Sequence, residues 1–150
     1  MKYLFAILCL VVISSSVAAK DFGCGIDTIP GDQIQFGCGC GYHLKHEQGI
    51  DTLFQAEIVT RDRPRMFVDG QLVGLSASPD NNKETELKLG DEFVESYSYG
   101  AMTIEFHNVV SFTCSENSQG CEVTRFDTTM VVNSGSCSAR VEGLFGDCGC

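Results

Sequence analysis

Eight cysteines follow a predicted leader, and four of them form two Cys-x-Cys pairs near opposite ends of the remaining chain. The pairs are Cys38-Gly39-Cys40 and Cys148-Gly149-Cys150. Both pairs lie in sequence that is typical of β-strands, so disulfides between them would join the first strand to the last. The same four sulfurs could instead bind a metal, and the rest of the sequence has to be weighed against both possibilities.

Residues 1–19 have the pattern of a secretory signal peptide. Lys2 precedes an apolar run from Tyr3 to Ile13, and the small residues Val17-Ala18-Ala19 stand before the predicted cleavage point. The apolar run is shorter than the roughly 20 residues that a membrane-spanning helix needs. An even number of cysteines after export fits an oxidising compartment. The sequence therefore predicts a secreted or periplasmic protein with no membrane anchor and with a framework of disulfide bonds.

The mature chain, residues 20–150, carries nine basic and twenty acidic side chains, which gives a net charge of −11 with the histidines neutral. Binding to nucleic acid requires clustered Lys and Arg side chains, so this charge argues against such a partner. It is compatible with a basic protein partner or with cations. A simpler interpretation is that the acidity only keeps an exported domain soluble.

Alternation of apolar and polar residues with a period of two recurs along the mature chain. One example runs from Ile34 through Cys38 and Cys40 to Leu44, with glycines on the opposite face, where they indicate a bend or the close approach of another backbone. Asp69-Gly70 between short apolar runs predicts a two-residue type I′ hairpin. A bulge is expected near Asn108.

These patterns amount to eight or nine short strands, and no amphipathic helix persists for three turns. Without helices there is nothing to form parallel crossover connections. The predicted fold is therefore a single all-β domain, residues 20–150, built as an antiparallel β-sandwich or a closed β-barrel of about eight strands and cross-linked by disulfides.

All eight mature cysteines are candidates for disulfides. Cys114 and Cys121 bracket a short polar tip, which makes them the clearest pair. Two cysteines at i and i+2 of one strand are separated by nearly the longest Cα distance that a disulfide tolerates, about 6.8 Å. Each Cys-x-Cys pair should therefore seek partners elsewhere. The candidates are Cys24, Cys38, Cys40, Cys114, Cys121, Cys137, Cys148 and Cys150.

A copper or zinc site is the alternative use of the same sulfurs. Cys38, Cys40, His43 and His46 lie within nine residues, and Cys148 and Cys150 could join them. However, a strand that continues through residue 43 directs His43 away from both thiolates. The spacing of the two cysteines is also shorter than in the usual structural zinc site. We therefore predict disulfides and no cofactor.

No catalytic residues are predicted. His107 and Glu105 alternate on what should be the outer face of a strand, where such a pair is usually only solvated. No serine lies in an elbow of small residues, and no two carboxylates are placed as acid and base. Tyr97 and Tyr99 precede Gly100 on one strand face and could form a binding surface, because Tyr is enriched at interfaces. They could equally cap one end of the core.

Five features occur in order along the chain, and the first and last are the Cys-x-Cys start and the Cys-Gly-Cys terminus. Between them come the Asp-Gly hairpin, the run Gly100 to Ile104 and the run Gly120 to Phe126. This order resembles a group of exported bacterial proteins, over roughly residues 34–150, and the resemblance implies an exported single domain but no activity. In general character, an acidic β-domain of this size is also similar to periplasmic lysozyme inhibitors, with no residues carried over. The predicted function is that of a non-enzymatic exported domain that binds a protein or envelope component, with the metal-binding protein as the alternative.

Overall fold

A computed structural model of the chain describes residues 22–35, 37–57, 63–82, 86–114 and 120–150. The predicted signal peptide and the expected strand residue Phe36 lie outside these ranges, as does the polar tip between Cys114 and Cys121 at residues 115–119. Within the described ranges, no helix is both long enough and apolar enough to cross a membrane.

The described part of the chain forms ten β-strands and two short 3-10 helices. In chain order, the strands are β1 (Ile26–Asp27), β2 (Gly39–His46), β3 (Gly49–Glu57), β4 (Arg65–Val68), β5 (Gln71–Gly74), β6 (Ser76–Ala77), β7 (Glu92–Tyr99), β8 (Met102–Phe112), β9 (Val123–Ser134) and β10 (Cys137–Gly149). The helices are Gly31–Gln33 and Pro79–Asn82. The all-β prediction is therefore confirmed.

All ten strands belong to one antiparallel sheet. Its order is β4-β3-β2-β10-β9-β8-β7-β6, and β1 and β5 also pair with β4. Because β5 pairs with all four residues of β4, β1 and β3 must share the opposite edge of β4. The registers agree, since Met66 lies opposite Phe54 of β3 and Val68 lies opposite Ile26 of β1.

The sheet curls into an open half-barrel, and the prediction of a sandwich or a closed barrel is wrong in this respect. In a barrel closed by the two Cys-x-Cys pairs, the first and last strands would meet at a seam. Here β2 and β10 are indeed neighbours, but they lie in the middle of the strand order. In the described residues, the end strands β5 and β6 do not pair with each other. The disulfides between β2 and β10 therefore connect two halves of an open sheet.

Aromatic rings fill the concave side of the curled sheet. Tyr42 of β2 stacks on Phe106 of β8 with ring centroids 4.0 Å apart, and Phe54 lies 5.0 Å from Phe106 and 4.8 Å from Tyr97. Since β10 and β9 lie between β2 and β8 in the sheet, the contact of Tyr42 with Phe106 requires the sheet to curl. Such aromatic pairs stabilise a core beyond the area that they bury.

Glycines allow this packing on the central strands. A Cβ atom on Gly146 of β10 would lie 2.6 Å from Cε1 of Tyr42 and 2.8 Å from a ring carbon of Phe126. A Cβ on Gly39 of β2 would lie 3.3 Å from Cα of Glu57. The glycines of β2 were expected to mark the close approach of another backbone, and Gly39 confirms this.

Two local predictions have different outcomes. The hairpin between β4 and β5 turns at Asp69 and Gly70, whose φ angles of 49° and 77° are both positive, as a type I′ turn requires. The expected bulge at Asn108 is wrong, because Asn108 continues the buried alternation of β8 and the register shift lies between Val110 and Phe112. Asn108 is tolerated inside because Tyr42 and Thr128 supply hydrogen-bonding partners.

Candidate functional site

The eight cysteines of the mature chain form four disulfides. Cys24 is bonded to Cys137, Cys114 to Cys121, Cys38 to Cys150 and Cys40 to Cys148. Cys40 and Cys148 lie directly opposite each other in β2 and β10, and Cys38 and Cys150 lie one residue beyond the ends of the same strands, with Cα atoms 4.0 and 4.1 Å apart respectively. The predicted disulfide framework is confirmed, and it fits an extracellular or otherwise oxidising compartment.

The residues of the alternative metal site are not brought together. The sulfurs of Cys38 and Cys40 are bonded within disulfides, the ring of His43 contacts Thr52 and Asp147, and His46 lies 3.2 Å from Asp51. Across the described ranges, no group of three or more His, Cys, Asp or Glu side chains is arranged to hold a metal ion.

His43 joins three strands on the face opposite the aromatic core. Its Nδ1 atom lies 3.0 Å from Oγ1 of Thr52 on β3, and its Nε2 atom lies 3.3 Å from a carboxylate oxygen of Asp147 on β10. The hydrogen bond with His43 is the main influence that lowers the pKa of Asp147, and Arg125 contributes as a nearby positive charge. The order Thr52–His43–Asp147 resembles a nucleophile, base and acid. Because Thr52 is only 5% exposed, we assign the cluster a structural role.

The two tyrosines proposed as a binding surface have different environments. Tyr97 is only 7% exposed and packs against Phe54 and Phe106, so it belongs to the core. Tyr99, at the end of β7, is 43% exposed. Of the two interpretations of this pair, packing on the core applies to Tyr97, because the curl of the sheet covers its side chain, and Tyr99 alone is left exposed. His107 and Glu105 are an exposed pair 3.3 Å apart on β8, as expected.

A cleft of about 530 Å³ runs beside β7 and is called the edge cleft. Leu87 and Phe93 supply apolar walls. Four carboxylates line it, and none of its described lining residues is a lysine or an arginine. The carboxylates are Asp80, Asp91, Glu92 and Glu95. The helix Pro79–Asn82 is held against β7 because the Asn81 side chain makes two hydrogen bonds, of 2.8 and 2.9 Å, with the backbone of Ser96.

Glu95 stands at the inner side of the edge cleft. Its carboxylate accepts hydrogen bonds from the hydroxyl groups of Tyr42, at 2.5 Å, and of Tyr97. Burial is the largest influence on Glu95 and raises the pKa of this carboxyl, while the two hydrogen bonds act in the opposite direction. Burial likewise raises the pKa of both tyrosines far above the usual range, so that they remain neutral donors.

A second and larger concavity, of about 930 Å³, lies on the outer face of β7 to β10 and is called the outer groove. The exposed side chains of Val94 and Val109 form its floor, together with the partly buried Phe145. The edge cleft and the outer groove share Glu92, Phe93 and Val94 of β7. The two concavities therefore lie on either side of one strand.

Sequence reasoning missed Glu95 and both concavities. Glu95 alternates with Phe93 and Tyr97, so its position on the apolar face of β7 was a visible signal. What could not be seen is that Tyr42, more than fifty residues earlier in the chain, reaches it.

The fold and these surfaces define a disulfide-linked, half-barrel β-protein with an acidic edge cleft. Comparison with protein-family models, with curated proteins and with solved structures finds no match for this chain.

Proposed function

We propose that the mature chain is a secreted or periplasmic, non-enzymatic β-domain that binds a basic protein. The edge cleft is the observation that carries this proposal. Four carboxylates line a space with apolar walls, and its described lining includes no lysine or arginine. A Lys or Arg side chain has an apolar stem and a charged end, so it is complementary to such a space.

The charge of the whole chain supports a basic partner. A net charge of −11 after removal of the leader attracts basic proteins over long range and increases the rate at which they associate. A basic protein as partner also agrees with the general similarity of the sequence to inhibitors of lysozyme, because lysozyme is a basic hydrolase. The resemblance to exported bacterial proteins agrees with a partner outside the cytoplasm. The four disulfides are consistent with a function outside the reducing cytoplasm.

The proposal is tested by measuring the binding of the mature, oxidised protein to lysozyme and to a panel of other basic proteins at two salt concentrations. We expect affinity for at least one of them to fall steeply as salt rises, because the attraction is screened over about 10 Å at 0.1 M. An affinity that is flat with salt for every basic protein, or no binding to any of them, would overturn the proposal.

A matched pair of charge reversals locates the contact. Asp91→Lys changes a residue that lines the edge cleft and not the outer groove, whereas Glu47→Lys reverses the charge of an exposed residue between β2 and β3. We expect Asp91→Lys to weaken binding by roughly tenfold or more and Glu47→Lys to weaken it far less, because close charge pairs contribute more than distant ones. Equal effects of the two variants would show that only the net charge matters and that the cleft is not the site.

A further inference from the structure

The floor of the outer groove is apolar although it faces solvent. Val94 on β7 is 49% exposed and Val109 on β8 is 40% exposed. Val94 lies directly opposite His107, and Val109 is two residues beyond His107 on the same strand. The two valines are therefore diagonal neighbours on one face of an antiparallel pair, a geometry in which side chains are about 7 Å apart.

One wall of the outer groove is formed by a bulge in β10. The register between β10 and β9 shifts between Val141 and Leu144, and Gly143 in this segment has a φ of 73°. Bulges of this kind redirect side chains away from the regular ladder. The redirected segment carries Glu142, which pairs with Arg140 at 2.9 Å. The bulge thus raises a charged rim beside the valine floor.

The rim is predominantly acidic. Asp127 on β9 lies opposite Val109 on one side, and Glu92 on β7 lies opposite Val109 on the other. Glu142 adds a third carboxylate, and Arg140, which lines the groove, is already paired with it. Carboxylates on the two neighbouring strands therefore flank Val109 on both sides.

We propose that the outer groove binds an extended segment of the basic partner, with an aliphatic side chain at position i over the valine floor and Lys or Arg at positions i−2 and i+2. This inference rests on the proposed function in one respect, namely that the partner is basic. Side chains at i−2, i and i+2 of an extended chain share one face and are about 6.7 Å apart. When such a segment crosses the strands with its aliphatic side chain on Val109, the two cations lie beside Glu92 and Asp127, which flank Val109 on the neighbouring strands.

Charge decides against a second copy of this chain as the occupant. Two copies would bring together chains of net charge −11, and the acidic rim would face further carboxylates. Like charges placed together at an interface cost several kcal/mol. A partner segment that is basic and aliphatic satisfies both the rim and the floor.

The test is an NMR titration of the mature, oxidised protein with ¹³C-labelled valine methyl groups. The probe is the peptide amide Lys-Ser-Val-Ser-Lys, and the two controls are Lys-Ser-Ser-Ser-Lys and Glu-Ser-Val-Ser-Glu. We expect saturable shifts of the methyl groups of Val94 and Val109 with the probe, and binding at least about tenfold weaker with either control. Shifts confined to other valines, or equal binding of the probe and the Lys-Ser control, would overturn the inference.

A matched pair of variants separates groove binding from general apolar contact. Val109→Ser removes part of the floor, whereas Ile50→Ser removes an aliphatic side chain that is 58% exposed at the start of β3. We expect Val109→Ser to weaken probe binding by roughly fivefold or more, a loss on the scale of one buried aliphatic side chain. We expect Ile50→Ser to leave it unchanged, and equal losses would count against the groove.

The failure of this inference is distinguishable from failure of the proposed function. If basic proteins bind with the expected salt dependence but the peptide leaves Val94 and Val109 unshifted, the groove inference is wrong and the proposed function stands. If the peptide binds in the groove but no basic protein binds, the proposed function is wrong and the groove remains a peptide site.

Discussion

The hydroxyl group of Tyr42 on β2 donates a hydrogen bond of 2.5 Å to the carboxylate of Glu95 on β7, although β10, β9 and β8 separate these strands in the sheet. The same hydroxyl oxygen accepts a hydrogen bond of 2.9 Å from the Asn108 amide, and Asn108 accepts one of 2.7 Å from Thr128. A continuous chain of hydrogen bonds thus crosses the core and ends at the edge cleft. Within the described residues, no buried side-chain nitrogen or oxygen lacks a partner.

Glu95→Gln is expected to change how stability depends on pH. Burial raises the pKa of Glu95 in the folded chain above its ordinary value of 4.5. Below pH 4.5 the Glu95 carboxyl is protonated in both the folded and the unfolded chain, and the contribution of this group to folding stability is fully present. It is lost as pH rises through the folded pKa, because the unfolded chain releases the proton more readily. Glutamine should remove this loss and give a higher denaturant midpoint than the native chain at pH 7.

The measurement is urea unfolding between pH 4 and pH 8, with Glu47→Gln as the control. Glu47 is an exposed residue between β2 and β3, so its replacement should leave the pH profile of the native chain nearly unchanged. Parallel profiles for the native chain and for Glu95→Gln would show that the environment of Glu95 does not penalise its charge.

Tyr42→Phe is expected to destabilise the fold by about 1–3 kcal/mol, because Asn108 and Glu95 each lose one hydrogen bond in a largely buried site. The ring stack on Phe106 is kept in this variant, so the loss reports on the hydroxyl group alone. Chemical denaturation at pH 7 measures it. Tyr99→Phe removes a hydroxyl group from an exposed tyrosine and should change stability by less than about 0.5 kcal/mol. Similar denaturant midpoints for both variants would contradict a stabilising role for the hydrogen bonds of the Tyr42 hydroxyl group.

Gly146→Ala is expected to destabilise the fold by about 1–3 kcal/mol through overpacking. The added methyl group would meet the rings of Tyr42 and Phe126, which are fixed by their neighbours in the core. Gly31→Ala is the matched control, since a Cβ at Gly31 would meet no heavy atom within 4 Å. Thermal unfolding of both variants measures the difference, and an unchanged midpoint for Gly146→Ala would mean that the aromatic stack can move aside.

The two bridges Cys38–Cys150 and Cys40–Cys148 are expected to contribute non-additively to stability, so that the loss on removing both exceeds the sum of the two single losses. With Cys24–Cys137 intact, the first bridge closes a loop of roughly 27 residues, and the second then closes a ring of only about four residues. In the entropic estimate, removal of either pair should therefore cost about 2 kcal/mol, and removal of both about 5–6 kcal/mol.

The variants are Cys38→Ser with Cys150→Ser, Cys40→Ser with Cys148→Ser, and all four together. Denaturant unfolding under non-reducing conditions gives the three losses, and Cys114→Ser with Cys121→Ser is the control for a bridge that closes a short loop. If the two single-bridge losses simply add to the loss of the fourfold variant, the loop-closure account of this pair of bridges is wrong.

Much of the local structure could be predicted from the sequence. The alternation of residues in β8 indicated a strand because side chains of a strand point to opposite faces, and Asp69-Gly70 indicated its turn because both residues adopt positive φ. The same local geometry excluded a disulfide within either Cys-x-Cys pair. Cys38 and Cys40 therefore had to find partners on another strand, and they bond to Cys150 and Cys148.

Only the tertiary structure decided that β2 and β10 lie in the middle of an open sheet, that Tyr97 is buried and that Glu95 meets Tyr42. A period of two fixes which residues share a face, but it carries no information on which strands become neighbours or how far the sheet curls. The curl follows from the packing of Tyr42, Phe54 and Phe106 over Gly146, which are distant in sequence and meet only when the strands are assembled. The edge cleft and the outer groove are consequences of that curl and of the bulge in β10. The sequence by itself therefore determined most of the strands and the presence of a disulfide framework, while long-range packing determined which cysteines pair and where the concave surfaces lie.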